Sequence, residues 1–404
     1  MKRRFMALMV SLMAIALLTS FTALNAFAAT TVNGSSVNFT KYLVVDEDVN
    51  IPNATIGFTI EPGTAVNATA STMAVYSGPA GATVGSVTFA PTDTVYTTVQ
   101  TGDDVTLATG KKYAKQTATV NLTGVTFTEP GIYRYNLTEN NPSDTAIGKD
   151  TRTLYLDVYV TSDNAGNLTV SSTVLHTNAA APARNADSGS ADVATDGTAV
   201  ADKTTGFVNT YPTQKLTFSK DVAGNQASRD KYFAFTLNIT GVTAGNQYTV
   251  DLSDADASIA ANPNAATTAI TAAVTQPATL TVPAGATEIT QVFYLKHSQS
   301  ISVLGLPEGA SYSVTEAEED YTPAVVVTGD VDANDVNEAT ITANHQASGT
   351  IDDNDTNITA AFTNTRDGII PTGVIMTVAP FAIGFCLFGA VIIFVISRRR
   401  RAAY

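Results

Sequence analysis

Short runs in which apolar and polar residues alternate fill most of this sequence, and they restrict what it can fold into. Examples are GSVTFA, GIYRYNL, TLYLDVYV, NLTVSSTV and KYFAFTLNI, which are separated by turn sequences such as DNAGN, TAGN and LPEGA. Alternation with a period of two is typical of β-strands, whose successive side chains point to opposite faces of a sheet. We therefore predict an all-β protein built from tandem immunoglobulin-like β-sandwich domains.

Two apolar segments frame this β-rich region. Basic residues at positions 2–4 precede an apolar run that ends in the small-residue sequence Ala-Phe-Ala at 26–28. This pattern is typical of a secretory signal peptide, so we predict a signal helix over 1–28, with an uncleaved anchor helix as the alternative. A second apolar run, 374–396, is long enough for a transmembrane helix, and the arginines at 398–401 suit the cytoplasmic side. The chain between them is predicted to be exported.

The composition excludes several kinds of partner and cofactor. The chain has 22 Lys and Arg against 36 Asp and Glu, which argues against nucleic acid as a partner. The single cysteine, Cys386, lies in the second apolar run, so the exported part has no disulfide. The histidines, His176, His297 and His345, are far apart in the sequence, and we predict neither a metal site nor a cofactor.

Two lysines occupy apolar positions of predicted strands. In VNFTKYLVV, Lys41 alternates with Phe39 and Leu43, and in LTFSKDV, Lys220 alternates with Phe218. Because alternate residues of a strand share a face, both lysines should point where the apolar residues point. A buried ammonium group is costly unless it is paired or neutralised, so each lysine needs a partner inside the protein.

The sequence repeats itself around these lysines. Each unit opens with a lysine strand, continues with a tyrosine-rich strand that ends in glutamate, and closes with a Phe-x-Asn-Thr sequence. The residues concerned are, in order, Lys41, Glu139, Asn209 and Lys220, Glu316, Asn364. We therefore predict a first domain over 30–212 and a second domain over 213–366. The small, polar residues 177–203 should form a long mobile loop within the first domain.

A lysine, a glutamate and an asparagine that are buried together can react with one another. Burial lowers the pKa of a lysine and raises the pKa of a glutamate, so a neutral amine can face a protonated carboxyl group. The amine can attack the side-chain amide, while the carboxyl group polarises the amide oxygen and passes a proton to the departing ammonia. The product is an amide bond between lysine Nζ and asparagine Cγ. The alternative is an unreactive hydrogen-bonded network or strand ends that reach solvent.

Several sequence stretches resemble the isopeptide-forming major or backbone pilins of Gram-positive, streptococcal-type bacteria. They are FTK, LTFSKDVAGNQASRDKYFAFTL, FTEPGIYRYNLTEN, FVNTY and AFTNTRDG, and the Y-x-L-x-E box is similar to that of collagen-adhesin B-type domains. The resemblance implies two autocatalytic bonds, Lys41–Asn209 assisted by Glu139 and Lys220–Asn364 assisted by Glu316. Glu129 is the competitor of Glu139, but its place beside a Pro-Gly turn favours an exposed position.

The sequence GIIPTGVI directly precedes the second apolar segment and resembles a sortase sorting signal in which proline stands next to Thr-Gly. The motif consists of Ile369, Ile370, Pro371, Thr372 and Gly373. The resemblance implies that a membrane sortase cleaves between Thr372 and Gly373 and transfers Thr372 to an amine. Residues 369–404 would then hold the sorting signal, the transmembrane segment and the arginine tail. A plain single-span membrane protein is the alternative.

The amine that accepts Thr372 decides the function. If it belongs to the next subunit, the product is a pilus; if it belongs to peptidoglycan, the product is a singly wall-anchored adhesin. The resemblance favours the pilus subunit and implies Lys203, shortly before Asn209, as the intersubunit lysine, with Lys215 in YPTQK as the rival.

The resemblance also implies where the protein acts and with what. The partners of the protein would be a sortase, other pilin subunits and peptidoglycan. Accessory tip or base pilins and host ligands are further partners that are compatible with the resemblance. The precursor would be held in the membrane, and the mature protein would lie on the cell wall of a Gram-positive bacterium. No turnover enzyme is expected, because the sequence offers no catalytic cysteine and no plausible Ser/His/Asp arrangement.

Overall fold

The structure is a computed structural model that describes residues 31–163, 165–182, 202–253, 258–259, 278–330, 340–342, 345–353, 355 and 357–368. Every regular element in these residues is a β-strand, so the all-β prediction is confirmed. The predicted signal helix over 1–28 and the apolar segment over 374–396 fall outside the described residues. Within the described ranges, no helix is long and apolar enough to cross a membrane.

The first half of the chain forms a sandwich of two main sheets. Its strands are β1 (Val32–Asn33), β2 (Ser36–Asp46), β3 (Ala54–Ile56), β4 (Phe58–Pro62), β5 (Val75–Ser77), β6 (Thr83–Val84), β7 (Val87–Phe89), β8 (Val95–Tyr96), β9 (Lys111–Asn121), β10 (Thr126–Phe127), β11 (Gly131–Glu139), β12 (Leu154–Ser162), β13 (Leu168–His176) and β14 (Gly206–Thr210). One sheet has the order β14-β2-β9-β6, with β8 also on β9, and the other has the order β13-β12-β11-β4, with β5 on β11. Two short strand pairs, β1-β10 and β3-β7, complete this first sandwich.

The second half forms another sandwich. Its strands are β15 (Thr213–Ala223), β16 (Phe233–Thr240), β17 (Gln247–Leu252), β18 (Ser258–Ile259), β19 (Ala278–Thr281), β20 (Glu288–Leu295), β21 (Gln299–Pro307), β22 (Ser311–Glu316), β23 (Thr322–Thr328), β24 (Thr340–Thr342), β25 (Gln346–Thr350) and β26 (Ile358–Thr365). The larger sheet has the order β19-β17-β21-β15-β26-β23-β24, and the smaller sheet has the order β18-β20-β16-β22-β25.

Each sandwich encloses its own apolar core. In β2, Phe39, Leu43 and Val45 are buried together with residues of the facing sheet, and in β15, Leu216 and Phe218 are buried in the same way. This is the consequence of the period-two pattern, because the apolar face of each sheet has to be covered by the other sheet. The lysines of β2 and β15 lie on these inward faces.

The two sandwiches meet at the carboxyl-terminal end of β2. The backbone N–H of Asn53 donates to Asn246 Oδ1 at 2.7 Å, and Asn50 Nδ2 donates to the carbonyl oxygen of Gln247 at 3.1 Å. Asn246 Nδ2 in turn donates to Asp144 Oδ2 at 2.9 Å, and this contact is buried. Buried polar groups with partners on both sides fix the position of one sandwich on the other.

The strand directions place two chain segments at opposite ends of the molecule. β14 runs parallel to β2 toward the contact between the sandwiches, and β15 starts at this contact and leads away from it. β26 runs parallel to β15, from Ile358 opposite Leu216 to Thr365 opposite Ala223. The segment before β14 therefore lies at the far end of the first sandwich, and the segment after β26 lies at the far end of the second.

Candidate functional site

The predicted lysine, glutamate and asparagine of the first unit are in contact in the core. Lys41 lies on β2, Asn209 on the neighbouring β14, and Glu139 is the last residue of β11 in the facing sheet. Lys41 Nζ lies 2.6 Å from Glu139 Oε2 and 2.5 Å from Asn209 Oδ1. Asn209 Nδ2 donates to Glu139 Oε1 at 2.6 Å. None of the three residues is more than 2% exposed.

The second unit repeats this arrangement. Lys220 lies on β15, Asn364 on the neighbouring β26, and Glu316 is the last residue of β22 in the facing sheet. Lys220 Nζ lies 2.7 Å from Glu316 Oε1, and Asn364 Nδ2 donates to the same oxygen at 2.8 Å. All three side chains are buried. The structure thus brings together both sets of residues that the repeat singles out.

The two sites share one strand register. Lys41 pairs with Phe207 across the parallel strands β2 and β14, and Lys220 pairs with Phe362 across the parallel strands β15 and β26. In both cases the asparagine follows that phenylalanine by two positions, so its side chain points to the same face of the sheet as the lysine. This register sets the amine beside the amide.

Gly206 allows β14 to lie next to β2. A Cβ atom at this position would lie 1.7 Å from the carbonyl oxygen of Thr40, so any other residue would push the two backbones apart. Because Asn209 follows on the same short strand, such a shift would also move its amide away from Lys41. The alternation of apolar and polar residues does not predict that position 206 has to be a glycine.

Aromatic rings close the sites around the two amines. Lys41 Nζ lies 5.8 Å from the centre of the Phe207 ring. Lys220 Nζ lies 4.4 Å from the centre of the Phe233 ring and 6.0 Å from that of Phe235. Rings at these distances attract a cation, but they also replace the water that would otherwise solvate it.

Burial shifts the protonation of both lysines toward the neutral amine. Loss of solvation lowers the pKa of Lys41 from its ordinary value of 10.5 to about 8, although Glu139 acts in the opposite direction. The same cause lowers the pKa of Lys220 to about 8. Burial also raises the pKa of Glu316. A neutral amine and a protonated carboxyl group are therefore within reach near neutral pH at the second site.

A backbone contact fixes the orientation of the amide at the first site. The N–H of Asp150 donates to the side chain of Asn209 at 3.0 Å. Because a backbone N–H can only donate, the atom that faces it is the amide oxygen, and the amide nitrogen faces Glu139. We expected the carboxyl group to contact the amide oxygen as well, but in both sites the glutamate contacts the nitrogen. Its proton is thus placed for the departing ammonia.

Asp150 and Arg152 complete the first site, and no sequence pattern predicts them. The Asp150 carboxylate accepts from the backbone N–H of Val208 at 2.9 Å and from Arg152 Nη2 at 2.6 Å. Both residues lie between strands in the sequence GKDTRT, which carries no periodic pattern. The second unit has no matching stretch that could have drawn attention to them.

The other candidate residues lie at or near the surface. Glu129 is exposed, and the site holds Glu139 instead. Lys203 is exposed and forms an isolated bridge with His176, and Lys215 is half-buried.

The predicted loop is described at its two ends, over residues 177–182 and 202–203. There the backbone N–H of Thr177 donates to the carbonyl oxygen of Asp202 at 2.9 Å. Residues 183–201 and the motif over 369–373 lie outside the described residues. In the described ranges no group of three or more His, Cys, Asp or Glu could hold a metal ion.

Two family models together match most of the described chain. Residues 38–212 match the Spy0128-like isopeptide containing domain, and residues 214–366 match a domain family of unknown function. The first of these matches covers the residues that hold the buried site of Lys41, Glu139 and Asn209.

Three similar proteins cover most of the chain. A protein described as pilin from Streptococcus pyogenes serotype M1 is 29% identical over 386 residues, which are 94% of this chain and 96% of that protein. The crystal structure of the major pilin from Streptococcus pyogenes has a TM-score of 0.51 at 23% identity and covers 83% of this chain and 100% of its own. The major pilin T3.2 of the same species has a TM-score of 0.52 at 20% identity, with coverages of 84% and 100%.

These two structures share the fold of this chain, and the pilin sequence aligns along nearly all of it. The resemblance to streptococcal-type pilins that the sequence motifs indicate is therefore confirmed.

Proposed function

We propose that this protein is the structural subunit of a covalently polymerised surface pilus, and that each of its domains is closed by an autocatalytic isopeptide bond. The domains would span 30–212 and 213–366, with bonds between Lys41 and Asn209 and between Lys220 and Asn364. The observation that carries the proposal is the pair of buried Lys–Glu–Asn sites, because both have the same strand register and the same order along the chain.

The chemistry needs only the groups in each site. The neutral lysine amine attacks asparagine Cγ, and the carbon–nitrogen bond to Nδ2 breaks, so that one ammonia is released for each amide formed. The protonated glutamate delivers its proton to the leaving nitrogen and takes one from the attacking amine, so that it ends in the form in which it began. Water is neither consumed nor produced.

The first prediction is a loss of mass. We expect the purified chain over 31–368, measured intact in denaturant, to weigh two ammonia masses less than its sequence requires. A Glu139→Ala variant should keep one of these ammonia molecules, a Glu316→Ala variant the other, and the double variant both. A wild-type mass equal to the sequence mass would contradict the proposed bonds, and a Glu129→Ala variant is the matched control that should still lose both.

The second prediction concerns pH at the second site. The reactive form of the pair holds one proton, on the glutamate, while the lysine is neutral. Above the pKa of Lys220, which is about 8, the pair loses its one proton and the glutamate is a carboxylate that has no proton to deliver. Below the raised pKa of Glu316 the pair holds two protons, and the lysine amine is charged and cannot attack. We expect a bell-shaped rate of bond formation that falls about tenfold per pH unit on the alkaline side. Chains made by cell-free synthesis, held in urea and diluted into buffers of different pH would give the rate; a rate that rises steadily to pH 10 contradicts this prediction.

The polymer would join Thr372 of one subunit to Lys203 of the next, after sortase cleavage between Thr372 and Gly373. The strand directions support such a head-to-tail link, since Lys203 precedes β14 at the far end of the first sandwich and β26 ends at the far end of the second. The last subunit would be transferred to peptidoglycan, which anchors the fibre to the wall of a Gram-positive cell. Accessory pilins and host ligands would be further partners of the fibre.

A further inference from the structure

The backbone N–H of Asp150 contacts an atom that changes charge in the proposed reaction. It lies 3.0 Å from Asn209 Oδ1, in the buried interior of the first sandwich. When lysine Nζ attacks asparagine Cγ, the carbonyl electron pair moves to Oδ1, which becomes negatively charged. A preorganised donor aimed at such an oxygen stabilises the tetrahedral intermediate, and backbone N–H groups serve this purpose in acyl-transfer sites.

Asp150 is hydrogen-bonded to β14, the strand that carries Asn209. Its carboxylate accepts from the backbone N–H groups of Val208 and Arg152 at 2.9 and 3.0 Å, and Arg152 Nη2 binds it at 2.6 Å. Arg152 Nη2 also donates to the carbonyl oxygen of Gly206 at 3.2 Å. The loop and β14 therefore form one hydrogen-bonded unit, which keeps the Asp150 N–H directed at the Asn209 oxygen.

The second site lacks this contact. Asn364 Oδ1 is buried and has no hydrogen-bond donor among the described residues. Both sites have a buried lysine, a strand-terminal glutamate and the same register between parallel strands, but only at the first site does the lysine Nζ also contact the amide oxygen, at 2.5 Å. The second bond therefore serves as a control for folding in the same chain, while the effect of the Asp150 N–H is measured between variants at the first site.

We infer that the backbone N–H of Asp150 is the oxyanion-hole donor of the first isopeptide bond and that the Asp150 carboxylate and Arg152 are positioning groups for it. This inference rests on the proposed bond between Lys41 and Asn209. The N–H stabilises the oxygen while the new bond from Nζ to Cγ forms, and it keeps its own proton throughout. The bond from Cγ to Nδ2 then breaks, and ammonia leaves with the proton that Glu139 delivers.

The test compares a variant that keeps the backbone N–H of residue 150 with one that lacks it. Asp150→Ala removes the carboxylate but keeps the N–H, and Asp150→Pro removes both. Full chains made by cell-free synthesis and kept in urea would be diluted into folding buffer, and the two cross-linked peptides would be quantified by mass spectrometry over time. We expect Asp150→Pro to form the first bond roughly 100-fold more slowly than Asp150→Ala. The second bond should form at the wild-type rate in both variants.

A backbone ester keeps the test decisive if the proline variant does not fold. Lactic acid at position 150, introduced during cell-free synthesis, differs from Asp150→Ala only by an oxygen in place of the N–H. Equal rates of first-bond formation in the ester and alanine chains would overturn the inference, even though the wild-type chain forms both bonds. A wild-type chain that forms no first bond would instead contradict the proposed function.

Discussion

Replacing the asparagine of either site should lower the thermal stability of its own domain by roughly 10–20 °C. The bond between Lys41 and Asn209 closes a loop of 168 residues. By analogy with disulfides, a cross-link over such a loop removes unfolded-state entropy that corresponds to roughly 5 kcal/mol. For a domain of this size, each kcal/mol shifts the melting temperature by about 2–4 °C. Asn209→Ala should therefore lower the transition of the first domain, and Asn364→Ala that of the second.

The glutamate variants should be less stable than the asparagine variants. In Asn209→Ala the covalent bond cannot form, and the unreacted Lys41 amine keeps its buried ion pair with Glu139. In Glu139→Ala the bond is lost as well, and Lys41 is left without its carboxylate in a buried site, which costs a further 3–5 kcal/mol or so. Because neither variant can form the covalent bond, the difference between their melting temperatures reports what the ion pair contributes to the uncross-linked domain.

Differential scanning calorimetry of the chain over 31–368 can follow both domains in one experiment. Each variant is the control for the other, because a change at the first site should leave the transition of the second domain in place. If Asn209→Ala melts at the wild-type temperature while the wild-type mass shows the bond, the cross-link does not stabilise the domain at equilibrium, and the entropic account is wrong. The bond would then matter only under mechanical load.

Much of the fold follows from the sequence because the strands are amphipathic. The period-two pattern places Lys41 among Phe39, Leu43 and Val45, and burial of that face decides where its amine goes. The repeat predicts the partners of the lysine, because two units with the same order of lysine, glutamate and asparagine are expected to share one arrangement of strands. This reasoning also favours Glu139 over Glu129, and the structure places Glu139 in the site.

The parts of the site that the sequence does not predict lie outside its periodic patterns. Asp150 contacts the Asn209 oxygen through its backbone N–H, a group that every residue except proline possesses. The identity of the side chain at this position therefore does not predict the contact. Gly206 is required by a backbone contact with Thr40, and that contact depends on a pairing between strands far apart in the sequence. The orientation of the Asn209 amide depends in turn on Asp150. Such details arise from tertiary contacts rather than from local residue preferences.

The second large effect concerns the fibre itself, and it separates a pilus from a singly anchored protein. Lys203 is exposed and lies just before β14, at the end of the first sandwich that faces away from the second. An exposed lysine contributes little to stability, so Lys203→Arg should leave folding and both internal bonds unchanged while removing the nucleophile. Arginine keeps the charge but remains protonated at any physiological pH and cannot accept the acyl group.

We expect the full-length chain, produced in a Gram-positive host with a pilus-type sortase, to give a ladder of covalent multimers that resists sodium dodecyl sulfate. Lys203→Arg should abolish this ladder and leave wall-anchored monomer, whereas Lys215→Arg, the matched control at a half-buried lysine, should retain it. A ladder that survives Lys203→Arg and disappears with Lys215→Arg would move the link to the start of β15. A wild-type chain that yields only monomer, although Thr372 is cleaved, would instead make the protein a singly anchored adhesin. The internal bonds and the intersubunit bond can thus be tested separately, because they use different lysines and only the second needs another protein.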